Sequence, residues 1–218
     1  NESGNRLGSA EVDTGLVGPA AGGKLLQTEW HKLIGSPKPQ GWDNQIPNEL
    51  AFIGSYLQKR RFDSGRLPFL PRAVEIIPHA GGSIGTVMTL LRAGGMVRIG
   101  HNMSGFGPDT IEPGGALLQN TRRDSLGRAR GNVEWYGFMG VDHRWVARNI
   151  FLDGTVFQNS ASVEHRRHVF DYSWGATVRY KLARISWTRI HRSEEFYTAL
   201  GGGGGRQRFD SINIGFEF

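Results

Sequence analysis

Phe170-Asp-Tyr-Ser-Trp-Gly-Ala-Thr-Val-Arg-Tyr-Lys181 alternates without a break. One face carries Phe170, Tyr172, Trp174, Ala176, Val178 and Tyr180, and the other carries Asp171, Ser173, Gly175, Thr177, Arg179 and Lys181. A period of two is the signature of a β-strand, because successive side chains leave opposite faces of the pleat. The last ten residues repeat the pattern, with Ile212, Ile214, Phe216 and Phe218 on one face and Ser211, Asn213, Gly215 and Glu217 on the other. From Trp135 the odd positions read Trp, Gly, Met, Val, His, Trp, Ala, with His143 the one polar intruder.

Extending this reading predicts eight strands, at 9–18, 48–63, 70–81, 85–100, 133–150, 168–181, 182–192 and 208–218, with little helix. The fold class is therefore all-β. Two architectures compete, a soluble sandwich and an antiparallel transmembrane β-barrel. Trp135 and Trp145 share a face ten residues apart, as do Phe170 and Tyr180. Ten residues at ~3.4 Å rise span ~34 Å, and a barrel tilt near ~40° projects this onto ~26 Å, the height of a barrel's apolar band between its aromatic girdles. Arg179 and Lys181, costly inside a sandwich, fall toward the lumen or an interface in a barrel. The barrel is the better account.

The composition agrees. The chain has 218 residues, 38% hydrophobic, 21% charged and 11% aromatic, which excludes a disordered tail. Glycine is high at 32 residues, but nine prolines and no G-X-Y period exclude collagen. The absence of cysteine excludes a disulfide scaffold, a thiolate zinc site and a cysteine nucleophile. The formal charge of +6 favours an anionic partner such as anionic lipid or phosphorylated glycan. No stretch reads as a membrane-spanning helix, and the first thirty residues are too charged and glycine-rich for a signal peptide. Residues 1–218 read as one barrel domain, with Gly201–Gly205 a flexible loop before the last strand. Arg122, Arg123, Arg128 and Arg130 form a basic loop suited to solvent or to a lipid phosphate.

Gly81-Gly82-Ser83-Ile84-Gly85 matches a nucleophile elbow, but the elbow needs a helix after it. Thr86 to Ile99 instead alternates, so a glycine-rich hairpin turn is the better reading. Thr28 looks like the N-cap of a short helix through Trp30, His31, Leu33 and Ile34, ended by Gly35. With Gly41-Trp-Asp-Asn-Gln45 close behind, this loop concentrates aromatic and polar groups. His165 and His168, flanking Arg166 and Arg167, could bind a metal or belong to a basic loop. No phosphate-binding loop, EF-hand or nucleic-acid-binding signature occurs, so no nucleic-acid partner is expected.

Several segments occur together in a recognisable order. These are Leu16-Val-Gly-Pro-Ala20, Trp30-His-Lys-Leu-Ile-Gly35, Gly41-Trp-Asp-Asn-Gln45, Val97-Arg-Ile-Gly100, Phe106-Gly-Pro108 and Val146-Ala-Arg-Asn-Ile-Phe-Leu-Asp-Gly154. The sequence resembles the lipid A deacylase family of outer-membrane β-barrels, over nearly its whole length. The resemblance implies a twelve-stranded barrel in the bacterial outer membrane, with outer-membrane lipids around it. It also implies calcium-dependent removal of the 3′-linked acyloxyacyl group of lipid A in lipopolysaccharide. His31 corresponds to the family's catalytic histidine. The family's nearby glutamate has no direct counterpart, since Ser36, Pro37 and Lys38 follow, and the role is unfilled or falls to Glu29, Asp43 or Glu49, with Asp43 and Glu49 the leading choices. The family's Asn-Asp pair, hydroxyl residue and lysine lie on earlier strands. Asn1-Glu2 has no strand-like surroundings, so about eight strands and a start near the family's fourth are expected, and with them no activity from these residues alone. A non-catalytic structural or pore-like barrel is the alternative. Counting back from Phe218 puts 19–47 and 151–167 at the outer end, and 101–132 with the Lys181-Leu182 turn at the inner end.

Overall fold

The computed structural model describes residues 2–3, 5–63, 74–107, 131–198, 202 and 204–216. They form one curled antiparallel sheet of nine strands in sequence order. The strands are β1 (Glu2–Ser3), β2 (Arg6–Val17), β3 (Glu49–Arg60), β4 (Val74–Gly85), β5 (Met88–His101), β6 (Val133–Asn149), β7 (His168–Tyr180), β8 (Ala183–Arg192) and β9 (Gln207–Phe216). Eight of them sit where the alternation puts them. The exception is β1, a two-residue strand where sequence gave no strand signal; Glu2 pairs with Leu7 and Ser3 with Arg6.

Three further differences have local causes. The glycine-rich 81–85 stretch is strand rather than turn, and the hairpin closes at Thr86–Val87. Ser83 Oγ there lies 2.9 Å from Ser55 Oγ across the β3–β4 pair, a wall contact. Helix α1 runs Gly23–Leu33, starting ahead of Thr28, because Gly22 at φ 74° turns the chain into it. A second short helix, α2, spans Ile150–Asp153 and is capped by Asn149, whose side chain accepts from the Phe151 N–H. Residues 70–73 of the predicted strand 70–81, the basic loop Arg122–Arg130 and Glu217–Phe218 lie outside the described residues.

The alternation separates two chemistries. Outward-facing Leu16, Leu50, Phe52, Leu91, Trp135, Trp145, Val178, Ile185, Ile214 and Phe216 are exposed, as a lipid-facing wall requires. The inward face is polar and largely paired, although Glu11 and Asp13, side by side on β2, each keep a carboxylate oxygen without a hydrogen-bond partner. Near mid-wall Arg92 (2.7 Å) and His79 Nε2 (2.5 Å) both reach Asp142 Oδ2. Gly94 stands between their strands, and a Cβ there would lie 2.9 Å from His79 Nε2, so only glycine leaves that path open. Arg144 and Arg192 converge on Asp171 (3.1 and 2.9 Å).

At the inner end the chain leaving β5 folds back into the lumen, burying Met103, Ser104, Phe106 and Gly107. Arg98, with 0% exposure, donates to Glu75 (2.7 Å) and to the carbonyls of Ser104 and Gly105 (both 2.9 Å). Arg61 donates to the same Gly105 carbonyl at 2.7 Å. Glu134, also at 0%, accepts from Ser104 N–H (3.1 Å), Ser104 Oγ (2.5 Å) and Arg179 (3.1 Å). Each buried charge thus meets an opposite charge or a backbone dipole, the condition for its burial.

Candidate functional site

The connection from β2 to β3 carries the residues singled out by sequence. Gly18, at φ 94°, turns the chain off the wall, and a Cβ there would lie 2.7 Å from the Pro47 carbonyl oxygen. The chain then runs through a 3-10 turn at Pro19–Ala21, α1, an extended stretch and a second 3-10 turn at Trp42–Asn44. The Ala20 N–H donates to Asn48 Oδ1 at 2.7 Å, so the two feet of the loop are tied together. Trp42 packs over Gly23 at the start of α1, with its ring 3.3 Å from where a Cβ would stand.

Helix α1 is amphipathic, and none of the described residues packs on its apolar side. Leu25, Leu26, Trp30, Leu33 and Ile34 are all exposed, at 54–77%. Lys24, Gln27, Thr28, His31 and Lys32 fill the other arc, with His31 beside its edge. His31 Nδ1 lies 2.6 Å from the Pro37 carbonyl oxygen. A carbonyl can only accept, so Nδ1 carries the proton, and in the neutral ring Nε2 holds the lone pair. No hydrogen bond occupies Nε2 among the described residues.

Asp43 and Glu49 are placed differently. Asp43 is 95% exposed at its side chain and pairs loosely with Lys24 at 3.5 Å. Glu49, at 5% exposure, opens β3 on its inward face. Its oxygens accept the Val156 N–H (3.0 and 2.9 Å) and the Phe157 N–H (3.0 Å), from the connection between β6 and β7. Gln158 adds a bond to the Asn48 carbonyl at 2.8 Å. Glu29 is engaged by Lys32 at 2.6 Å. No hydrogen bond or ion pair joins His31, Asp43 and Glu49 to one another.

Calcium asks for six to eight oxygen ligands. The carboxylates of this loop are dispersed, and Glu49 already serves backbone donors. Among the described residues no group of three or more His, Asp or Glu is placed to hold a metal ion. These residues do not fit a calcium site. His165 instead binds Asp153 (2.5 Å), which also accepts the Asn149 N–H (2.8 Å), and His168 opens β7 on the outward face.

Two roles were invisible in the sequence. The Pro37 carbonyl fixes the His31 tautomer, and no residue type advertises a backbone acceptor. Glu49 fastens the β6–β7 connection from 107 residues away, too far for any local pattern.

An up-and-down sheet with an apolar outward face, aromatic rows near both ends and a charged, largely paired interior defines a wall of the transmembrane β-barrel class. The chain belongs to the family described as outer membrane protein LpxR, whose model matches residues 1–218. It is an outer-membrane protein. The structure of LpxR from Salmonella typhimurium is similar, with a TM-score of 0.77 at 22% identity, covering 99% of this chain and 69% of that one. At that identity the likeness concerns the fold. Among curated proteins, none matches the sequence.

Proposed function

We propose that this protein modifies lipid A, removing its 3′-linked acyloxyacyl group by ester hydrolysis with His31 as general base. The observation that carries the reading is the His31–Pro37 contact on an exposed helix at the outer end of the wall. It leaves Nε2 basic and unencumbered beside an apolar helix stripe that suits acyl chains. Water attacks the ester carbonyl as Nε2 takes its proton, so a carbon–oxygen bond forms to water. The bond to the sugar oxygen then breaks, and the same proton passes to the departing alkoxide, releasing the acyloxy acid and a free hydroxyl. The Pro37 carbonyl stabilises the imidazolium that exists between these steps. Asp43 is the exposed carboxylate available near α1, and Glu49 acts at one remove by holding the loop in position.

Calcium enters this proposal through the family resemblance alone, and no step is routed through it. A pore reading has less support, because the chain after β5 fills the inner lumen beside the described strands.

The test is mass spectrometry of lipid A after incubation with the detergent-refolded protein, alone and completed with the strands that precede these in the family. The reading expects loss of one acyloxyacyl mass from the completed barrel and none from these residues alone. General-base removal costs typically ~10²–10⁴-fold, so His31→Gln should fall in that range while folding normally. A loss below about tenfold would leave His31 a structural role only.

A further inference from the structure

The outward face of the wall is chemically uneven. On β6–β9 its inner half carries Trp135, Met139, Val178, Ile185, Ile214 and Phe216, and no charged residue or histidine. On β2–β5 the outer half is equally apolar, with Val12, Leu16, Leu50, Phe52, Ile84 and Leu91 exposed. The outer half of β6–β9 differs from both, with His143, His168, His191, Arg189 and Arg208 facing outward among Phe170, Tyr172 and Trp174.

The patch is organised by contacts. His143 Nε2 lies 3.0 Å from His168 Nδ1. Their rings stack at 5.2 Å and 10°, and Phe170 stacks on His143 at 4.5 Å and 15°. His191 lies over Trp174 at 4.7 Å and is paired across the strands with Tyr172 on one side and Arg208 on the other. The one carboxylate, Asp210, is engaged by Arg189 (2.9 Å at each oxygen) and by Trp187 Nε1 (3.1 Å). Arg208 is exposed and makes no hydrogen bond among the described residues.

Cationic side chains on a barrel's lipid face cost about 2–4 kcal/mol at the midplane and about 0–1 near the interface. Arg6 and Arg60 stand outward at the opposite rim of β2–β3, near the other interface; on β6–β9 the cationic side chains stand in the outer half alone, which marks headgroup depth there. We infer that the outward face of β6–β9, around His143, His168, His191 and Arg208, is a binding site for the phosphorylated sugar headgroup of an outer-leaflet lipid. In the lipid-free pair one imidazole must accept from the other. A phosphate lying across them accepts an N–H from each ring at once, as Arg208 adds a charge-assisted bond. Phe170 and Tyr172 offer flat faces to the sugar, and the acyl chains descend along Met139, Val178 and Ile214. The site makes no use of His31 and does not depend on hydrolysis.

The test is equilibrium binding of fluorescent bis-phosphorylated lipid A to the full chain in amine-oxide micelles, with folding checked by heat-dependent gel mobility. A lost charge-assisted bond is worth about tenfold in affinity. His143→Gln/His168→Gln should weaken binding at least about that much, and enzymatic dephosphorylation of the lipid should do the same to the unmodified protein. Should the histidine pair be needed for folding, Arg208→Gln, at an exposed position, keeps the test intact with the same expected direction. Binding within twofold of unmodified protein by folded variants, or indifference to dephosphorylation, overturns the inference. Displacement of the lipid by inorganic phosphate at equal concentration would assign the patch to a free anion and overturn the lipid assignment.

Discussion

At Glu49 a buried carboxylate meets two backbone N–H groups from a segment 107 residues further along the chain. Replacing it by alanine leaves both donors without a partner in a part-buried setting, at about 1–3 kcal/mol for each such group. Glu49→Ala should therefore destabilise the protein by about 2–6 kcal/mol in urea unfolding from micelles. Glu49→Gln keeps one acceptor oxygen and should cost about 1 kcal/mol. Protease cleavage within 155–164 should accelerate for the alanine variant before global unfolding begins. Unchanged cleavage would show that Glu49 does not hold this connection. The effect on His31 would be indirect, since the same connection bonds to Asn48 and Asn48 to the foot of α1. Activity should then fall by less for Glu49→Gln than for His31→Gln.

Among the elements, the inner segment 102–107 shows how the lumen is closed, and Arg98 is its centre. Its guanidinium serves Glu75 and two carbonyls at once. Arg98→Met should cost about 3–5 kcal/mol, chiefly because Glu75 is left charged and buried without a partner. Arg98→Met/Glu75→Met should recover most of that loss, since apolar residues of similar volume replace a buried pair at little net cost. Urea midpoints of the four proteins complete the cycle, and an additive result would show that the pair is not coupled. The strands were legible in sequence to within a few residues because burial on one face of a sheet imposes a period of two. Helix α1 was legible in kind but not in its start, since the chain enters it through the positive φ of Gly22 while Thr28 offered a more conventional cap. Residues 102–107 were not legible at all. They have no periodicity, and their partners Arg61, Arg98, Glu134 and Arg184 are brought to them only by the curl of the sheet. In the candidate site His31 stood out through the pattern around it, whereas its backbone acceptor and the duty of Glu49 depend on contacts that exist only after folding.

For the whole molecule, orientation is the property that joins these parts. The connections 18–48, 150–167 and 193–206 leave one end of the sheet, with the two-residue turn at 86–87. The connections 61–73 and 102–132 and the turn at 181–182 leave the other. Outer-membrane barrels keep short turns on the periplasmic side and long loops outside. By that rule 102–132 is too long for an inner connection, but its first part is spent inside the lumen, where Met103, Ser104 and Phe106 are buried. The outward chemistry gives an independent bearing. The histidine and arginine patch lies at the end from which α1 emerges, where phosphorylated headgroups of the outer leaflet would meet it. Both lines put His31 outside. Gln40 is exposed in the α1 loop, and Leu182 is exposed in the β7–β8 turn. With no native cysteine in the chain, Gln40→Cys and Leu182→Cys each present a single thiol. An impermeant maleimide should label Gln40→Cys on intact cells and Leu182→Cys only after the outer membrane is breached. Reversed labelling would turn the wall over, put His31 in the periplasm and sink both the lipid A reading and the headgroup site, because neither could then face the outer leaflet.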